Sequence, residues 1–369
     1  MKHHKMLRLS HSMKLFFTLV FIATFLSMTV TTFALQNKGI QGSVWIANEE
    51  GNSLTVVNAG TNKIITTLTG IESPHNVQLS PDNKTVWAVS GHKSLAVAID
   101  AATYTLKGTV PTGKMPAHII LTPDGKSVYV TNGEDDSVTV IDTATMKFVA
   151  TIPAGKFPHG LRPSPDGKWI YVANLKDTKV SVIATATNTK VADIEVGLKP
   201  AQVGFSPDGK FVYVSLNAEN AVAKIDVARR TVAGKTKVGI GPIQVFVSPN
   251  NKYLIVANQG TEERPNTTVS VIDAKTFSVV KTIKTGKGAH GVVVEPSSRY
   301  AYITNIFGNN MAVLDLATLK ITATVSTGIK PNGISFSSLA PSPASAASIA
   351  IKLPNTKNSD KSNKSDMKH

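Results

Sequence analysis

Residues 156–175 read KFPHGLRPSPDGKWIYVANL and contain, in order, a Pro-His step, the short segment Gly-Leu-Arg-Pro, a Ser-Pro-Asp-Gly turn and an apolar run that reaches Asn174. The Asp166-Gly167 pair is a hairpin signal, because tight turns need residues that tolerate positive φ. Two short strands joined by such a turn are marginal alone and need partners. The chain supplies them by repetition. The turns SPDN, TPDG, SPDG, SPDG and SPNN place Pro81, Pro123, Pro165, Pro207 and Pro249 at intervals of 42 residues, and EPSS places Pro296 a further 47 on. A second register, an apolar strand followed by a turn former, ends at Asn58, Asp100, Asp142, Ala184, Asp226, Asp273 and Asp315. Periods of this size mark solenoids, arrays or propellers.

Four strands are legible in each unit; in the unit containing the quoted stretch they are HGLRPS, WIYVAN, VSVIAT and KVADIEVG. Each is rich in Val, Ile, Tyr and Thr and apolar on both faces, as expected of a small sheet covered on both sides by its neighbours. Seven such units predict an all-β fold: a seven-bladed β-propeller with four antiparallel strands per blade over residues 40–336. Residues 43–69 supply only the second to fourth strands of a blade, and PNGISF at 331–336 supplies only a first strand. The C-terminal strand is therefore expected to pair into the N-terminal blade, closing the ring and removing a free edge.

The second strands read VWIAN, VWAVS, VYVTN, IYVAN, VYVSL, LIVAN and AYITN. With Tyr129-Val130-Thr131-Asn132 among them, the chain resembles the YVTN-repeat β-propeller family over nearly all of residues 40–336. The resemblance implies an exported or surface-associated bacterial or archaeal propeller. It also implies kinship with relatives that bind DNA, and likeness in fold to haem d1-carrying and lactonase-like propellers. It implies no single reaction, since fold alone does not supply function.

The chain ends differ in character from the repeats. Residues 1–34 combine a basic start, the apolar run LFFTLVFIATFLSMTV and small residues around Thr32-Phe33-Ala34, the pattern of a secretory signal peptide. Export to the periplasm or cell surface is the expectation, with an uncleaved N-terminal anchor as the alternative; no other segment is apolar enough to span. Residues 337–369, rich in Ser and Lys, read as a flexible tail. The chain has no cysteine, which excludes disulfides, thiolate nucleophiles and Cys-ligated zinc or iron–sulfur clusters. Its net charge of +15 favours anionic partners or serves solubility.

In a propeller of this kind the first strand of each blade lines the channel, so the residues after the repeated proline gather at its mouth. They are His75, Ala117, His159, Ala201, Ile243, His290 and Asn332, followed by Asn76, His118, Gly160, Gln202, Gln244, Gly291 and Gly333. Four histidines, His75, His118, His159 and His290, thus share one rim, and imidazole suits zinc, copper, iron or nickel. A wet channel in which each histidine simply meets water or a carbonyl is the plainer reading. Lys114, Lys156, Lys199, Lys287 and Lys330 precede the same strands and, with Asn332, Gln202 and Gln244, outline an anion- or ligand-binding rim. Lysines after the hairpin turns populate the opposite face as well. The insertion at residues 260–266 should lie on the mouth face. The asparagine ending the second strand and the aspartate ending the third read as capping and turn groups.

No nucleophile–base pair or phosphate-cradling loop is evident. The expectation is therefore a non-enzymatic scaffold, a monomer that binds a protein, a small anionic ligand or DNA at the channel-mouth face; an anionic envelope polymer is a further partner for the basic tail. The alternative is a metal- or haem-dependent enzyme or cofactor carrier using the histidine rim. The two rim positions hold no Asp or Glu, which argues against calcium-assisted lactone hydrolysis.

Overall fold

In the computed structural model, which describes residues 39–354, the chain forms seven antiparallel sheets around a common axis. Six sheets have four strands taken in sequence order, such as Pro158–Pro163, Trp169–Asn174, Lys179–Ala184 and Thr189–Glu195. In the remaining sheet Pro331–Ser337 pairs antiparallel with Ser43–Asn48, matching Val44 with Phe336 and Ile46 with Ile334. The expected closure is thus present. Among the described residues no helix is long and apolar enough to cross a membrane.

The repeated second strand explains how the blades pack. Trp45, Trp87, Tyr129, Tyr171, Tyr213 and Tyr302 occupy equivalent positions, and each is at least 99% buried. Rings of this size fill the wedge between neighbouring sheets, where burial of each contributes roughly 2–3 kcal/mol. The asparagine that ends the strand ties two segments together. Asn132 accepts a hydrogen bond from the Gly113 amide at 3.1 Å and donates to Ser137 and Thr139 at 3.0 and 2.9 Å. Asn48 and Asn174 repeat the arrangement with Gly328 and Gly155. The strand-ending aspartates accept from the following turn, as Asp100 does from Ala102 and Thr103. Both residue types are the capping groups their positions suggest.

The first strand is irregular, and the irregularity positions the channel side chains. Its pairing with the second strand shifts between Pro116 and Ile119, between Pro158 and Leu161, and at the same place in three further blades. A bulge here breaks strict alternation. Consequently both the residue after the proline and the next one can face inward.

The chain beyond 336 departs from expectation. Residues 337–354 are not a flexible tail but run back along the N-terminal blade, where Ser348–Ala350 adds a fifth strand, parallel to Lys63–Thr69. The Ile351 amide donates to the Thr69 carbonyl at 2.8 Å, and Tyr104 donates to the Ser342 carbonyl at 2.7 Å. Ile351 is buried in the cluster with Leu54, Leu68 and Val77. The physical reason is local: the apolar Ile349 and Ile351 find an otherwise open edge to cover. The proposed leader and residues 355–369 lie outside the described residues.

Candidate functional site

The four rim histidines converge. The ring centres of His118 and His159 are 4.6 Å apart, those of His75 and His159 5.2 Å, and those of His75 and His118 5.4 Å. His290 is further out, at 6.2 Å from His75. One ligand nitrogen from each of His75, His118 and His159 falls in a set whose members all lie within 4.8 Å of one another. His118, His159 and His290 are buried, whereas the side chains of His75 and Glu49 are 19% and 29% exposed and form the accessible side of the site.

Thr131 of the repeated tetrapeptide holds two of these residues in register. Its hydroxyl accepts from the His118 amide at 3.0 Å and donates to the His159 carbonyl at 2.7 Å in the next blade. Ser215 and Thr304 make the same bridge further round, to Gln202 and Ile243 and to Gly291 and Asn332.

The ring nitrogens have definable roles. His159 Nδ1 lies 2.9 Å from the Ala201 carbonyl, which can only accept, so Nδ1 carries the hydrogen. Burial, with help from His75, pushes the His159 pKa down to about 4 and keeps the ring neutral. Its Nε2 is therefore a bare lone pair, and it faces His75 Nε2 at 3.1 Å. Either His75 supplies a hydrogen to that gap or a cation bridges it. Two nitrogens of one tetrahedral zinc ion stand about 3.3 Å apart for Zn–N distances near 2.05 Å, so the spacing suits a shared ion. His290 Nδ1 faces Gln259 Oε1 at 3.2 Å, and its Nε2 is buried with no partner. Burial, then His75, brings the His290 pKa down to about 3. His118 Nε2 is likewise buried and unpartnered, and burial followed by His159 holds its pKa well below the usual histidine value. Orphaned buried nitrogens cost stability unless something else satisfies them.

A carboxylate stands at the mouth after all. Glu49, in the loop after the N-terminal blade's second strand, approaches His75 Nδ1 at 3.2 Å and accepts from the Asn332 amide at 2.7 Å. Burial alone would raise its pKa, but the charge and hydrogen bond of His75 and the bond from Asn332 prevail and lower it to about 2. The absence of Asp and Glu from the two rim positions is therefore no guide to the site's chemistry. Glu49 and Gln259 each follow the asparagine that ends a second strand, and that third register was the signal available in the sequence.

The other expected rim residues are placed differently from one another. Lys156 is paired with Asp136 at 2.5 Å, and Lys330 with Glu50 and Glu262 at 2.7 and 2.9 Å. Lys114, Lys199 and Lys287 are exposed, without a carboxylate partner among the described residues. Five equivalent cationic arms thus reduce to three, because neighbouring loops supply acids. Gln202 and Gln244 are buried: their Oε1 atoms accept from the Val203 and Val292 amides, and Gln202 Nε2 approaches His118 Nδ1 at 3.4 Å. They brace the mouth from within and do not line an open rim. The insertion at 260–266 reaches the mouth face through Glu262 and Lys330, as its place in the repeat suggests.

A closed seven-bladed ring with its polar chemistry gathered at one end of the axis defines the class of protein. The chain belongs to the YNCE-like β-propeller family, whose profile matches residues 92–342. None of the curated proteins matches the chain significantly. Among solved structures it is similar to hydrazine synthase of Kuenenia stuttgartiensis, at 25% identity and a TM-score of 0.64, over 73% of this chain and 90% of that one. It is also similar, at 17% identity each, to a functionally unknown protein of Desulfotomaculum acetoxidans (TM-score 0.71) and to a 6-phosphogluconolactonase candidate of Bacteroides fragilis (TM-score 0.69). Both cover 82% of this chain and 99% of their own, and at that identity they speak for the fold.

Proposed function

We propose that the protein is an exported propeller that binds one divalent transition-metal ion at the channel mouth. His75, His118 and His159 are the ligands, with His290 and Glu49 beside them. One observation carries this reading: a ligand nitrogen from each of three imidazoles, on three consecutive blades, falls within 4.8 Å of the other two. Three neutral imidazoles form a borderline-soft donor set that suits zinc, copper or nickel better than calcium. Glu49 supplies negative charge at the accessible edge, while Asn332 and the Ala201 carbonyl orient the rings, as outer partners of metal-bound histidines commonly do. The function is binding, and the hydrazine synthase and lactonase likenesses assign it no reaction. Export rests on the leader-like sequence of residues 1–34. Binding of DNA through the lysines is less favoured, because two of the five are already paired with acids and single-strand binding needs aromatic platforms that the rim scarcely provides.

The test is metal stoichiometry after dialysis of the full chain against micromolar zinc. His118→Ala should lose one equivalent relative to wild type, whatever the N-terminal histidines contribute. Equal stoichiometry in the two proteins, both folded by circular dichroism, would remove the proposal.

A further inference from the structure

The channel's other half contains a cation that the metal site does not use. Below the histidines, the first strands of all seven blades enclose a cavity of about 430 Å³ that extends to the hairpin turns of the opposite face. Its walls are mainly apolar, including Ile120, Phe205, Phe246, Val293, Ile334 and Phe336. Among the described residues Arg162 is the single charged one lining it.

Arg162 enters from the strand that carries His159, three residues further along. At its place in the repeat the other blades put Gln78, Ile120, Gly204, Phe246, Val293 and Ser335, so no carboxylate faces the guanidinium from any blade at that level. No carboxylate of the described residues lies within 4.0 Å of it. Among the described residues its one hydrogen bond is from Nη1 to the Leu161 carbonyl, at 2.9 Å. A guanidinium has five N–H donors in a planar fork, so most of its capacity is turned to the cavity. Arg162 is half-buried, and its loss of water contact pulls its pKa down to about 10, which still leaves it charged at neutral pH. A charge held against apolar walls in a partly open cavity, without a counter-ion, carries a cost, and the partner that removes it most effectively is a planar oxyanion bound by two parallel N–H bonds.

We propose that this cavity binds a small organic monocarboxylate with an apolar body, its carboxylate on Arg162 and its hydrocarbon against the phenylalanine and aliphatic walls. The volume falls within the range of small-molecule sites, and one charged group among apolar walls is the usual division between orientation and affinity. A simple inorganic anion would leave the apolar walls unmatched, and a neutral hydrocarbon would leave the guanidinium unpaired. The site shares no residue with the proposed metal centre and needs no metal of its own, although the Arg162 charge is one of the lesser influences that hold the His118 pKa down.

The experiment is isothermal titration of the full chain, in chelator so that no metal can ligate the probe, with octanoate, 1-octanol and acetate. Octanoate should bind at one site, at least tenfold more tightly than either octanol or acetate. Arg162→Gln should weaken octanoate by at least tenfold, while Arg162→Lys should retain part of the affinity. Octanoate and octanol of equal affinity, or octanoate without measurable binding at millimolar concentration, would overturn the proposal. These comparisons on the wild-type chain stand even if the Arg162 variants fail to fold. Loss of octanoate binding in His118→Ala would contradict a site that shares no residue with the metal centre.

Discussion

His75 Nε2 and His159 Nε2 face each other at 3.1 Å although 84 residues separate them in the chain. One blade, the one that carries His118, lies between the blades that carry them, and the curvature of successive blades about the axis brings the rings together. The hydrogen on His159 Nδ1 is committed to Ala201, so a proton or a metal ion must occupy the gap between the two Nε2 atoms. That competition sets the behaviour of the site.

The contributions of His118 and His159 to metal affinity should be independent of pH from 8 down to about 6. His118, His159 and His290 are already neutral there, because burial holds the last two near 4 and 3 and His118 well below the ordinary value of 6.5. Competition titrations with cobalt(II) at several pH values measure this. A tenfold fall in affinity between pH 7 and pH 6 would show that the buried imidazoles titrate like exposed ones.

Stability without metal should decline in two acid windows. A histidine whose folded pKa lies below its unfolded value takes up a proton on unfolding, so its contribution is complete above about pH 6.5 and is lost as the pH falls towards 4 for His159 and 3 for His290. Glu49, depressed from 4.5 to about 2, contributes above 4.5 and loses that contribution through 2. Urea midpoints at pH 7, 5 and 4 should fall in that order by an amount worth a few kcal/mol in all. A double variant His159→Gln, His290→Gln should flatten the profile above pH 4.5. An unchanged profile would show that these rings are not the groups responsible.

Thr131 positions ligands without being one. Thr131→Val deletes the hydroxyl that bridges the His118 amide to the His159 carbonyl and should cost about 1–3 kcal/mol of stability. It should also weaken zinc binding several-fold, and Thr131→Ser should restore both. Weaker zinc binding in Thr131→Ser as well would place the effect in the lost methyl group, not in the hydrogen bonds.

The docked C-terminal segment should be a structural part of the N-terminal blade. Ile351→Ala removes a side chain that is 94% buried and should destabilise by about 2–4 kcal/mol, read as a lower urea midpoint. Truncation after residue 339 should go further and promote self-association, because it bares the Lys63–Thr69 edge. A truncated chain as stable and as monodisperse as the full one would refute this.

Blade number, strand order, ring closure and the meeting of the histidines all follow from the repeat. Period and turn chemistry are local, and closure carries them round the axis. What the sequence concealed depended on side-chain direction and on neighbours. Glu49 sits in a loop one register away from the histidines, and its partner Asn332 is 283 residues distant. Lys156 and Lys330 look equivalent to Lys114 until the loops that bring Asp136, Glu50 and Glu262 are in place. The last strand was hidden because its surroundings have the composition of a disordered segment, while the few apolar residues that dock it are too short a run to show a period.

The most direct test of the central claim is an anomalous difference map from crystals of the zinc-loaded protein, recorded at the zinc edge. One strong peak is expected at the channel mouth, about 2.0–2.1 Å from a nitrogen of each of His75, His118 and His159. Zinc bound only elsewhere on the protein, with the three rings still turned to one another and no peak between them, would contradict it.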